Sequence, residues 1–141
     1  MKETYRRLAQ EYDIPWHGRR YDRSKPEAAD IPNQAINHAA SAVEGAALTA
    51  VASTGTIPQL GFIHEDSGQA FALDISDLFR DTILLPVAFG AAKKVLRNKE
   101  LSIERVTRQR AGDVLRKDRV IPEMIDRIKE LFDGDDSRRN A

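Results

Sequence analysis

The segment over residues 35–51 limits the fold most. It is rich in alanine, and Ile36, Ala40, Val43, Ala47 and Ala50 fall on one stripe of a helix. Small side chains along such a stripe let other helices approach closely. The helix is expected to start near Pro32, because proline is favoured in a first turn and Asp30 sits where its carboxylate meets the free amides. Thr54-Gly55 is expected to end it. His38 lies off the stripe and reads as a surface residue.

The same reasoning finds further helices. Tyr5, Leu8 and Tyr12 share a face over residues 1–12. Residues 13–30, with Pro15, Gly18 and Pro26, read as a polar loop of a length that is often functional or disordered. Residues 57–61 read as a connector, and Ser67-Gly68 as a turn in a short hairpin-like excursion. Residues 74–96 read as helix with a break near Pro86, since an interior proline costs about 3 kcal/mol unless it sits at a joint. Over residues 101–117, Ile103, Val106, Arg110 and Val114 approximate one face. Over residues 120–132, Ile121, Ile125, Ile128 and Phe132 repeat at helical spacing, and Gly134 is expected to stop the helix. The sum is an all-α fold, a bundle of about four to six helices over residues 1–134, with a disordered tail at 135–141.

Composition narrows the classes. A chain of 141 residues with 41% apolar and 31% charged residues fits one globular domain and argues against disorder. The absence of cysteine excludes disulfides and zinc-thiolate sites and makes a cytoplasmic setting natural. No run of 18 apolar residues predicts a membrane span, and the first residues lack the apolar core of a signal peptide. Net charge is zero but unevenly spread. Residues 26–92 hold eight acidic groups and one basic group, whereas residues 93–119 hold ten basic and four acidic groups. An acidic middle suits a cation, and basic flanks suit phosphates. The alternative is that these arginines are solvated helix faces.

One short run carries ordered chemistry. Gly61-Phe-Ile-His64 is followed by Ala72-Leu-Asp74-Ile-Ser-Asp77-Leu-Phe-Arg80. Asp74 and Asp77 are three apart, so on a helix their Cβ atoms lie roughly 5–6 Å apart on one side. Two carboxylates and an imidazole converging on one point hold a divalent cation, Mg²⁺ or Mn²⁺, with the imidazole favouring Mn²⁺. The competing reading makes Asp74 a helix cap, Asp77 a solvated first-turn residue and His64 a packed loop residue.

Four segments appear in order: Trp16-His-Gly-Arg-Arg-Tyr-Asp22, Asp30-Ile-Pro-Asn33-Gln34, Gly61-Phe-Ile-His64 and Leu73-Asp74-Ile-Ser-Asp77. Together they resemble the C-terminal helical domain of the CRISPR-associated integrase, the nuclease of the spacer-acquisition complex. The W-x-G-R-R-Y-D run resembles the type I-E branch. The likeness extends from about Thr4 to about Phe132.

The resemblance implies a metal-dependent DNA endonuclease and transesterase that inserts spacers into a CRISPR array for antiviral defence. It implies His64 and Asp77 as ligands of Mg²⁺ or Mn²⁺, with Asp74 as an acidic neighbour. It implies Arg19, Arg20, Tyr21, Arg80, Arg105 and Arg108 as DNA contacts, arginine forks gripping phosphates and the tyrosine ring stacking on a base. Glu104 and Arg108 alternatively form an i,i+4 ion pair, and Trp16 and Tyr21 alternatively pack the loop on the bundle. Expected partners are DNA, a second copy of the chain and the small ferredoxin-like subunit of the adaptation complex. Two parts of the family pattern do not match this sequence: the N-terminal β-rich domain, and a ligand glutamate expected about one helical turn before Met1. Glu44 is a weak substitute for it. The chain thus reads as a fragment with impaired activity. The alternative is a non-catalytic helical scaffold or DNA-binding remnant.

Overall fold

A computed structural model describes residues 2–20, 22, 24–55 and 65–139. Every regular element among them is helical. In chain order these are α1 (Lys2–Glu11), a 3₁₀ turn (Pro26–Ala28), α2 (Ile31–Ser53), α3 (Glu65–Leu78), a π-helical turn (Arg80–Leu84), α4 (Leu85–Arg97), α5 (Ile103–Lys117) and α6 (Val120–Arg139).

Helix α2 is the axis of the bundle. It packs against α3, α4, α5 and α6. Ala35, Ala39, Val43, Ala47 and Ala50 are fully buried on it, and Ile36 nearly so. Contact on several sides explains why its apolar positions spread wider than one stripe. Phe89 and Leu85 of α4, Ile75 of α3, and Val120, Met124 and Ile128 of α6 supply the bulk that α2 lacks. His38, expected at the surface, is partly buried and lines a groove between α2 and α5 with Ser41, Arg108 and Leu115.

The start of α2 also fixes the preceding loop. The Asp30 carboxylate accepts from the Asn33 backbone N–H at 3.0 Å, which caps the helix, and from the Asn33 side-chain amide at 2.7 Å. Asn33 is fully buried. Its amide also donates to the Gly18 carbonyl at 2.9 Å, and its Oδ1 accepts from Arg19 at 2.8 Å and from the Arg20 backbone N–H at 3.1 Å. Gly18 has φ +98°, a left-handed conformation that suits glycine. The loop is therefore tied down across residues 18–20 by one side chain.

Three expectations on element bounds change. Ser67-Gly68 lies inside α3 and is not a turn. Gly134 does not stop α6, which runs to Arg139 and so takes in much of the expected tail. The break expected near Pro86 falls just before it, in the π-helical turn. There the Phe79 carbonyl accepts from both Ile83 and Leu84, and the Arg80 carbonyl accepts from Leu85, five residues on. Pro86 then sits in the first turn of α4, where its missing N–H costs little. The connector over residues 57–61 lies outside the described residues.

Removing the Asn33 side chain strands several buried polar groups at once. Asn33→Ala is expected to lower the unfolding free energy by about 2–3 kcal/mol, against about 1 kcal/mol for loss of the cap in Asp30→Ala. Urea denaturation checks this, and equal losses in the two variants contradict the hub role of Asn33.

Candidate functional site

Helix α3 carries Asp74 and Asp77 one turn apart, both exposed. Exposed carboxylates are hard oxygen donors open to a cation. His64, the third expected member, lies outside the described residues. Among the described residues no three His, Asp or Glu side chains are close enough together to hold a metal. Glu44, partly buried on α2, therefore does not complete a site with Asp74 and Asp77.

Arg80 follows on the π-helical turn. Its Nη2 stands 3.4 Å from Asp77 Oδ1, and its Nη1 donates to the Tyr5 phenol oxygen of α1. Burial pulls the guanidinium pKa down, but the Tyr5 oxygen and the Asp77 carboxylate outweigh it, so the net displacement is upward. Arg80 therefore stays charged and bridges α1 to a candidate ligand. Its guanidinium is engaged at two points in this structure, not free as a phosphate contact.

Tyr5 in turn stacks on Trp16, the rings 5.4 Å apart and within 3° of parallel. Trp16 tilts against Phe89 at 5.5 Å. The tryptophan thus packs the loop onto the bundle. Beside it lies a cleft of about 400 Å³ lined by Lys2, Tyr5, Arg6, Trp16, His17, Gly18 and Arg19. Its charged lining is all cationic. Tyr5 belongs both to this cleft and to the Arg80–Asp77 contact, so the cleft and the carboxylates share a wall.

The expected DNA contacts divide into three groups. Arg19 lines the cleft, held by the side chains of Asn33 and Asn37, so it is a tether of the loop as well as a charge on the cleft wall. Arg20 is exposed beside it, and Tyr21 lies outside the described residues. Arg105 and Arg108 stand exposed on α5, which packs on α2 and α4. Arg108 pairs with Glu104 at 3.0 Å, the i,i+4 arrangement the sequence allowed. Lys2 and Arg6 were not singled out from sequence, Tyr5 was read only as a helix-face position, and Asn33 only as part of the run Asp30-Ile-Pro-Asn33-Gln34.

Comparisons with known proteins identify the family. Residues 4–129 match the family model described as CRISPR associated protein Cas1. A CRISPR-associated endonuclease Cas1 of Rhodospirillum rubrum is 33% identical over 94% of this chain and 43% of its own length. One from Thermus thermophilus is 34% identical over 95% of this chain and 40% of its own. The Escherichia coli K12 relative is 30% identical over 94% and 42%. The crystal structure of a TtCas1–DNA complex superposes with a TM-score of 0.78 at 35% identity, covering 92% of this chain and 48% of that one. The chain spans less than half the length of these relatives. On this evidence the chain belongs to the Cas1 family of CRISPR-associated endonucleases.

Proposed function

We propose that this chain is the helical, DNA-processing part of a CRISPR adaptation integrase of the type I-E branch, working in the cytoplasm. The observation that carries the reading is the cationic cleft joined through Tyr5 and Arg80 to the Asp74–Asp77 pair. The W-x-G-R-R-Y-D run supports the branch, and the TtCas1–DNA complex supports DNA as the ligand. No described helix is long and apolar enough to cross a membrane.

In this reading Lys2, Arg6 and Arg19 take the phosphates of a DNA strand. Arg20, Tyr21, Arg105 and Arg108 extend the contact. His64, Asp74 and Asp77 are the groups that hold Mg²⁺ or Mn²⁺. The two exposed carboxylates fit such an ion by donor chemistry, and Arg80 orients Asp77 in its absence. A bound divalent cation supplies charge stabilisation to the attacking and leaving oxygens of a phosphodiester. The chain's own residues place the phosphate and keep the carboxylate aimed. A second copy of the chain and the small ferredoxin-like subunit are the proposed protein partners. Leu48, Leu73, Leu78 and Leu131 are exposed large apolar side chains of the kind such contacts cover.

A second reading is a DNA-binding scaffold with weak or no cleavage. On that reading residues 1–141 bind DNA but cleave it weakly or not at all.

Two measurements test these readings, and the second separates them. Duplex DNA binding, followed by fluorescence anisotropy, is expected to weaken steeply between about 50 and 200 mM salt, and Arg6→Ala is expected to lower the slope of log K against log salt by about one. No binding at low salt overturns the DNA reading. Manganese binding by calorimetry is expected to be weak in the wild type and lost in His64→Ala and Asp77→Ala. Robust manganese-dependent cleavage that His64→Ala abolishes makes the chain a complete nuclease and excludes the scaffold reading. Manganese binding unchanged by either substitution overturns the proposed ligands.

A further inference from the structure

An arginine stands in α5 where the helix pattern asks for an apolar residue. Ile103, Val106 and Thr107 are buried on that helix, and Arg110 continues their face. Its guanidinium crosses to α4 and lies on the backbone of Gly90. A Cβ built on Gly90 would stand 2.2 Å from Nη2, 2.5 Å from Cζ and 2.8 Å from Nε of Arg110. Only glycine leaves that seat open. The Arg110 Nε is buried and has no hydrogen-bond partner.

Among the described residues no carboxylate pairs with this charge. The ion pairs among the described residues are Arg6–Glu3, Arg80–Asp77, Arg108–Glu104 and Arg116–Asp113. Asp113, one turn along α5 from Arg110, is taken by Arg116 at 2.7 Å. A cation that is desolvated in part and left without a counter-charge lowers stability unless an anion arrives from outside.

Gly90 places that cation in a row. Lys93, Lys94 and Arg97 follow Gly90 at steps of three, four and seven, on one side of α4. Gly90 and Lys93 are partly exposed, and Lys94 and Arg97 are exposed. None of the three side chains joins an ion pair among the described residues. Arg110 thus fills the gap that Gly90 would otherwise leave. The row extends over roughly 10 Å, seven residues of helical rise.

We propose that Arg110, seated on Gly90, forms with Lys93, Lys94 and Arg97 a ridge that binds the phosphodiester backbone of DNA. This contact is distinct from the cleft between α1 and the loop, and it rests on the DNA-binding reading above. Charge complementarity selects the ligand. Four cations in line suit a polymer with evenly repeated negative charge, and a guanidinium held in place offers its fork of donors to a phosphate. A protein partner wants an apolar centre to its interface, and the exposed large apolar side chains lie on α2, α3 and α6 instead of α4.

The test uses duplex DNA and the 141-residue chain. Arg110→Gln is expected to weaken binding roughly five- to tenfold at about 0.1 M salt and to reduce the salt slope by about one. Gly90→Ala is the second variant. Its methyl group meets only the far end of a flexible side chain and favours the helix, so the fold is retained while the guanidinium is displaced. It is expected to reproduce the Arg110→Gln loss, and the double variant is expected to be no worse than either single one. Arg6→Ala in the cleft is expected to add to Arg110→Gln. If the wild type binds DNA, Arg6→Ala weakens it, and both Arg110→Gln and Gly90→Ala leave affinity and slope unchanged, the ridge is overturned and the cleft stands. If the wild type does not bind DNA, both fall.

Discussion

Close approach to the small residues of α2 is the constraint on which the rest depends. A helix of alanines cannot fill a core by bulk, so it is enclosed by α3, α4, α5 and α6, whose larger side chains meet over it. That enclosure leaves little freedom in where each outer helix lies. Asp74 and Asp77 ride on one of them, Arg105, Arg108 and Arg110 on another. The chemistry is therefore placed by packing, and a bulkier residue at Ala39 or Ala47 would displace functional side chains before it touched any of them.

The buried Asn33 does for the loop what the alanines do for the helices. One side chain satisfies the Gly18 carbonyl, the Arg20 N–H and the Arg19 guanidinium, while its own helix start is capped by Asp30. A polar network buried and satisfied in this way fixes one geometry. It gives an irregular segment the rigidity that a cleft wall requires, and it sets Trp16 against Tyr5 and Phe89.

Helix positions were legible in the sequence because periodicity and caps act locally. The start of α2 at Ile31 follows from Asp30 and Pro32, and its end at Ser53 from Thr54-Gly55. Ser67-Gly68 and Gly134 misled because glycine within a helix costs only about 1 kcal/mol, which tertiary packing overrides. Of the site, the Asp74–Asp77 spacing was legible, since it is a property of one helix. The Tyr5–Arg80 contact spans 75 residues, and the Arg110–Gly90 contact joins two helices, so neither leaves a local signature. Arg110 was legible only as a face position of α5. What it does there depends on the absence of a side chain opposite.

The π-helical turn at Arg80–Leu84 has an evolutionary consequence. It holds one residue more than an α-helical path would need, and that extra residue sets the rotational phase between α3 and α4. Dropping one residue there would turn α3 by about 100° relative to α4. The carboxylates of α3 would then swing away from Tyr5 while Phe89 stayed in the core. Length in this part of the chain is thus constrained, as is the identity of Arg80 and of the buried Ile83 and Leu84. A single insertion or deletion there breaks the register between the carboxylates and the basic cleft.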